Sequence, residues 1–336
     1  MASLRIVSSV FPTLAGTAHG PQVPAMNKIP GTDLRISNLG FGGNVLGWTA
    51  DRDTSFALLD RFIEAGGNFI DTADMYSQWA PGHTGGESER MIGAWLKERG
   101  RPDGLVIATK VGKGTERPGL SKSNILAACD ESLERLGVDR IDLYYAHEDD
   151  ASVPMEETLG AFQGLIDAGK VGAVAASNFE AERLQKALEL GEESGLARYV
   201  AVQPEYSLLH RDEVEGALGE VCKRHDLPVI PYWALAAGYL TGKYRKGKVD
   251  SPRAEGMNRF SEMPESEPVL DALESIAKAR GVTMAAIALA WCRANPLVPS
   301  TLASGRNIAQ LEQVLVAMKI DLDEGEQAQL RRALER

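Results

Sequence analysis

Three short segments carry side chains that could move a proton. In Asn68-Phe69-Ile70-Asp71-Thr72-Ala73-Asp74-Met75-Tyr76 an apolar run ends in an acid, and a tyrosine follows in the adjoining loop. Val106-Ile107-Ala108-Thr109-Lys110 ends in a lysine, and Asp142-Leu143-Tyr144-Tyr145-Ala146-His147 ends in a histidine. Each alone has an ordinary reading: Asp71 as a helix cap, Tyr76 as a pocket-lining ring, Lys110 as a snorkelling stem, His147 as a satisfied polar group. Together they form a proton-donating set. A phenol, with an ordinary pKa of about 10, donates poorly at neutral pH until its anion is stabilised. An ammonium beside it favours the phenolate, a carboxylate keeps that ammonium charged and oriented, and an imidazole can hydrogen-bond a carbonyl oxygen. Such a set would protonate the oxygen of a carbonyl as hydride arrives at its carbon.

These residues must be brought together by elements far apart in the chain. From Asn27 onward, short β-rich apolar runs alternate with longer amphipathic stretches. The Pro30-Gly31-Thr32-Asp33 turn predicts a small hairpin, and a first barrel strand ends near Leu39-Gly40-Phe41-Gly42-Gly43. Helical periodicity begins at Thr54, with Phe56, Leu59, Phe62 and Ile63 on one face and Gly66-Gly67 as the stop. Further strands are expected at 68–71, 104–110, 141–147, 171–177, 199–204, 228–232 and 298–303. Helices are expected at 87–99, 121–136, 156–169, 181–194, 212–225, as a pair over 268–294, and after Arg306 and Asp323.

Strict alternation of β and α predicts a parallel sheet, and eight units predict an α/β fold of the (β/α)8 TIM barrel type with an N-terminal β-hairpin and extra C-terminal helices. An open dinucleotide-binding sheet would want a G-x-G-x-x-G turn after its first strand, and none is there. Asp71, Lys110, His147, Ser177-Asn178, Gln203 and Tyr232 all stand at the C-terminal ends of expected strands. A closed barrel gathers those ends on one face. The connection from Trp233 to Glu267 shows little regular pattern, and a loop of that length in a compact barrel is usually functional.

At these residues the chain resembles the aldo-keto reductase family, over nearly all of Lys28 to about Gln313. The resemblance implies a catalytic tetrad of Asp71, Tyr76, Lys110 and His147, with Tyr76 as the general acid. It also implies that Ser177, Asn178 and Gln203 bind the nicotinamide carboxamide and that Tyr232 stacks on the ring, although Ser177-Asn178 alone would read as a helix N-cap. Gly43 and Asn44 would face the nicotinamide ribose. Trp233, Ala234, Leu235, Gly238 and Lys243 would follow the pyrophosphate. Ser304, Gly305, Arg306, Gln310 and Gln313 would grip the adenosine end. A turn feeding a helix N-terminus, with Ser and Arg nearby, suits a 2′-phosphate and favours NADP (NADPH) over NAD. The chain departs from many relatives at Trp233, where serine is usual, at Gln313, where asparagine is common, and at Ser300, where some branches carry a lysine near the 2′-phosphate. The NADP expectation therefore rests on Ser304 and Arg306. Trp48, Trp79 and Trp233 are the expected walls of an aromatic substrate pocket.

Composition narrows the alternatives. A net charge of −11 argues against nucleic acid and anionic lipid as partners. Cys129, Cys222 and Cys292, an odd number with no C-x-x-C pair, fit a reduced cytoplasm. No metal is expected, because His147 alone among five histidines ends a strand. A Schiff-base lyase could use Lys110 but leaves Ser177-Asn178, Gln203 and the 240s loop unexplained. Residues 1–26 read as a disordered leader or an upstream misplaced start, and 27–336 as one oxidoreductase domain. A different class of function, a cofactor-binding auxiliary subunit or sensor with slow turnover, fits the same motifs. Neither the small-molecule carbonyl or alcohol substrate nor the oligomeric state is specified.

Overall fold

A computed structural model of the chain describes residues 26–245 and 254–335, so residues 1–25 of the expected leader lie outside the described residues. The hairpin pairs β1 (Met26–Lys28) antiparallel to β2 (Arg35–Ser37). The barrel then begins: β3 (Leu39–Gly42), α1 (Arg52–Glu64), β4 (Phe69–Asp71), α2 (Glu87–Arg99), β5 (Val106–Val111), α3 (Lys122–Leu136), β6 (Ile141–Ala146) and α4 (Met155–Asp167). It continues through β7 (Val171–Ser177), α5 (Ala181–Ser194), β8 (Tyr199–Gln203), α6 (Asp212–Glu215), α7 (Ala217–Arg224) and α8 (Ala254–Ser261). The last elements are α9 (Ser266–Arg280), α10 (Met284–Arg293), β9 (Thr301–Ala303), α11 (Ile308–Leu315) and α12 (Glu324–Leu334).

The sheet is parallel, in the order β8-β7-β6-β5-β4-β3-β9. Residues 228–232 fill the gap between β8 and β9 and close the ring. Val202 and Ile230 exchange backbone bonds with this segment and β8, and the Leu302 N–H donates to the Pro231 carbonyl at 3.1 Å. The segment pairs through isolated bridges instead of a regular ladder, since Pro228 and Pro231 supply no N–H.

Strand periodicity sorts the side chains into two layers. Phe69, Val106, Ala108, Leu143, Tyr145, Ala173, Ala175, Ala201, Ile230 and Leu302 fill the barrel interior, and Ile29 and Ile36 of the hairpin region join them. The alternate residues, such as Ile70, Ile107, Tyr144, Val174 and Val202, pack under the helices. No described helix is long and apolar enough to cross a membrane. Two local expectations differ from the structure. The helix expected over 212–225 breaks at Gly216, and the connection after Trp233 holds a 3-10 segment at Ala236–Thr241 and helix α8.

Candidate active site

The two-residue period that fills the barrel also aims the polar residues. One step beyond inward-facing Phe69, Ala108, Tyr145, Ala175, Ala201 and Ile230 come Asp71, Lys110, His147, Ser177, Gln203 and Tyr232. They therefore converge above the apolar interior at the C-terminal mouth of the barrel.

Lys110 is fully buried, and its ammonium donates to three oxygens: Asp71 Oδ2 at 2.6 Å, the Thr72 carbonyl at 2.8 Å and the Tyr76 hydroxyl at 3.0 Å. An ammonium has three N–H groups, and all three are satisfied here. Burial pushes the Lys110 pKa down, opposed chiefly by the Asp71 carboxylate. The Tyr76 hydroxyl also lies 3.4 Å from Asp71 Oδ2, while the Gln203 amide donates to Asp71 Oδ1 at 2.9 Å. Asp71 is thus held from both sides. The Tyr76 and His147 rings stand edge to face at 6.1 Å. Burial, and then the nearby Lys110 charge, hold the His147 imidazole well below the ordinary histidine range, so the ring is neutral. Its Nδ1 is buried without a partner.

Behind these groups lies a hydrogen-bonded layer. Ser177 donates to the Gln203 carbonyl at 2.7 Å, and the Asn178 amide donates to the His147 carbonyl at 2.8 Å. Asn178 adopts a left-handed backbone with φ of 55°, which turns its side chain so that its oxygen accepts from the Tyr232 hydroxyl at 2.8 Å.

A cleft begins at Asp71 and Tyr76 and runs past Asn44, Trp48, Tyr232, Trp233, Ala234, Leu235, Gly238 and Lys243 to Ser304, Gly305, Arg306, Gln310 and Gln313. Of the residues expected to touch a cofactor, Gly43, Ser177, Asn178 and Gln203 do not line it. A Cβ on Gly43 would stand 2.9 Å from the Asp71 carbonyl, so that glycine serves the close approach of β3 to β4. Trp233, Ala236 and Ala237 have φ between 49° and 55°, three non-glycine residues in the left-handed region, of which Trp233 and Ala237 line the cleft. Such strain clusters at ligand sites, where successive backbone N–H groups can be turned inward. Lys243 and Arg306 are exposed, and no ion pair with a described residue engages either. Ser300, by contrast, is fully buried and does not line the cleft.

At the mouth, Trp48 lines the cleft and meets Trp79 edge-on at 5.3 Å, and Trp79 in turn lies 6.1 Å from Tyr76. Trp79 is 45% exposed, and Trp233 on the other lip is 37% exposed with the Arg259 guanidinium 5.1 Å above its ring. The sequence reading missed the Thr72 carbonyl, because a backbone acceptor carries no side-chain signature. It also missed Val45 and Ala285 in the cleft wall, which no charge or periodicity distinguishes, whereas Thr241 and Tyr244 line the cleft within the 240–244 segment that resembles the family's pyrophosphate loop.

Residues 38–335 match the family model described as the aldo/keto reductase family. Among curated proteins, the chain is 31% identical over 298 residues to a probable voltage-gated potassium channel subunit beta of Arabidopsis thaliana, covering 85% of this chain and 89% of that protein. It is 32% identical to the protein tas of Escherichia coli, covering 89% and 94% of the two chains. It is also 32% identical to the chloroplastic pyridoxal reductase of Arabidopsis thaliana, covering 90% and 84%.

Proposed function

The chain belongs to the aldo/keto reductase family, and from that premise we propose that it reduces an aldehyde or ketone to the alcohol, reversibly, with NADPH as hydride source and Tyr76 as proton donor. The observation that carries this reading is the Lys110 ammonium placed between the Asp71 carboxylate and the Tyr76 hydroxyl at one end of a long cleft. The pyridoxal reductase relative agrees with carbonyl reduction by its name.

The residues fit a nicotinamide dinucleotide. The end of the cleft near Tyr76 is aromatic and partly apolar, which suits a flat ring, and Tyr232 would stack there. The left-handed wall from Trp233 to Gly238 offers backbone donors to a pyrophosphate, with Lys243 adding charge. The exposed Arg306, which forms no ion pair with a described residue, stands at the N-terminal approach to α11 and would hold the 2′-phosphate together with Ser304. Bound there, NADPH would supply hydride to the carbonyl carbon. Neutral His147 would orient the carbonyl oxygen by hydrogen bonding. Tyr76 would give that oxygen its proton, and Lys110 would stabilise the phenolate left behind. Asp71 and the Thr72 carbonyl would keep the ammonium aimed at Tyr76.

The exposed tryptophans of the lip support an aromatic or extended apolar carbonyl as substrate. Oxidation of NADPH followed against aromatic aldehydes, dicarbonyls and keto-sugars tests the whole reading, with NADH as the comparison. Turnover with NADPH and a preference for aromatic aldehydes is expected. The similarity to a potassium channel subunit beta favours a second reading, a cofactor-binding auxiliary subunit. Tight NADPH binding with negligible turnover across the panel would select it.

A further inference from the structure

Beside Lys110 lies a second set of charges, fully or partly buried, that the reaction above does not use. Asp74 sits on the turn between Asp71 and Tyr76, and its N–H donates to the Lys110 carbonyl at 3.2 Å, which fixes its place beside β5. Its Oδ1 is buried with no hydrogen-bond partner. Gly85 lets the loop before α2 close over it, and Gly114 stands beside its carboxyl. A Cβ on Gly85 would lie 2.9 Å from the Asp74 carbonyl, and one on Gly114 would lie 3.8 Å from Asp74 Oδ2. From α2, fully buried Glu89 faces this carboxyl and accepts from Thr109 at 2.6 Å and from Arg135 Nε at 2.6 Å. Arg135 reaches in from α3, and Tyr144 of β6 is buried there with an unpartnered hydroxyl. Lys110 completes the set from β5. Burial and then the Glu89 charge push the Asp74 carboxyl up to about 7, against Arg135, the Met75 amide and Lys110.

We propose that Asp74 is a positioning residue whose charge state sets how strongly Lys110 favours the Tyr76 phenolate, giving reduction a faster regime with the carboxyl neutral and a slower one with it ionised. This rests on the reductase reading. Reduction leaves negative charge on Tyr76, and an ionised carboxylate on the same turn opposes that charge through space. It also offsets part of the field of the Lys110 ammonium, whose three N–H groups are all engaged elsewhere. Protonated Asp74 does neither. The carboxyl takes no proton from the substrate and touches no reacting atom.

The test is kcat for carbonyl reduction at saturating NADPH and substrate, over about pH 5.5 to about 8.5, in the wild type, Asp74→Asn and Glu89→Gln. In the wild type the rate falls roughly fivefold through a step near pH 7 and then levels. Asp74→Asn, an isosteric stand-in for the neutral carboxyl, lacks the step and keeps the rapid low-pH rate on the alkaline side, with NADPH affinity unchanged. Glu89→Gln removes a charge that raises the Asp74 pKa, so its step moves to lower pH. A flat wild-type profile, or a step that survives in Asp74→Asn, overturns the proposal while leaving the reductase reading intact. Should Asp74→Asn fail to fold, a step unmoved in Glu89→Gln overturns it. Absence of turnover at every pH in the wild type sinks the reductase reading and this proposal together.

Discussion

The Tyr76 hydroxyl is reached by a fully satisfied ammonium on one side and opens to the cleft on the other, so removing one oxygen atom separates chemistry from shape. In Tyr76→Phe the ring remains 4.8 Å from the Lys110 ammonium, and the cleft keeps its wall. Turnover is expected to fall about a thousandfold, within the range for loss of a general acid. NADPH affinity, read by fluorescence titration, stays unchanged. Residual turnover within tenfold of wild type would remove Tyr76 from the donor role. At this scale the sequence was informative where chemistry sits on a side chain at a strand end. Asp71, Lys110 and His147 announce themselves as ionisable groups closing apolar runs, and the structure brings them together with Tyr76. Asp74 gave no such signal, because an acid in a loop reads as solvated. Its burial depends on Gly85, Glu89 and Arg135, which are distributed over one loop and two helices. Gln203 was legible as a polar strand end, but its partner Asp71, 132 positions earlier, was not.

At the scale of elements, the same buried charges depend on how closely α2 approaches α3. Gly93 makes that approach possible, since a Cβ there would lie 2.2 Å from the Arg135 carbonyl and 3.0 Å from the Leu136 carbonyl carbon. Both obstacles are backbone, so neither can swing aside. Gly93→Ala is expected to destabilise the fold by about 1–3 kcal/mol, although alanine is the better helix former. Urea denaturation reads this as a lower midpoint with an unchanged slope. A midpoint equal to or above that of the wild type would mean that the helices can part at little cost. Most elements were legible because their periods are clean: the strands at 68–71, 141–147 and 171–177 and the helix at 181–194 fall within a residue or two of the observed bounds. The exceptions have local causes. Pro228 and Pro231 leave the 228–232 strand unable to form a regular ladder, and Gly216 divides an otherwise continuous helical pattern. Helix α8 escaped notice because it is short and embedded in a Gly- and Lys-rich connection.

At the scale of the whole molecule, an acidic chain would, under the proposed function, bind a strongly anionic cofactor. The net charge of −11 repels phosphates at long range, so affinity depends on the few cations and backbone donors lining one side of the cleft. Arg306 is the exposed cation at the far end, and its guanidinium has no competing acid partner among the described residues. A ligand that binds only the folded barrel stabilises it by about 2.7 kcal/mol at a hundredfold excess over its dissociation constant. NADPH should therefore raise the melting temperature by several degrees, and NADH, lacking the 2′-phosphate, by less at the same concentration. Arg306→Ala should weaken NADPH roughly tenfold while leaving NADH nearly unchanged, which reduces the NADPH stabilisation to about 1.4 kcal/mol at that concentration. Added salt should weaken NADPH binding to the wild type more than to Arg306→Ala, because the variant has already lost the screened contact. Equal losses of NADPH and NADH binding in the variant would show that Arg306 shapes the turn before α11 and does not read the phosphate. In that case the selectivity would fall to Ser304 and the backbone donors around Gly305.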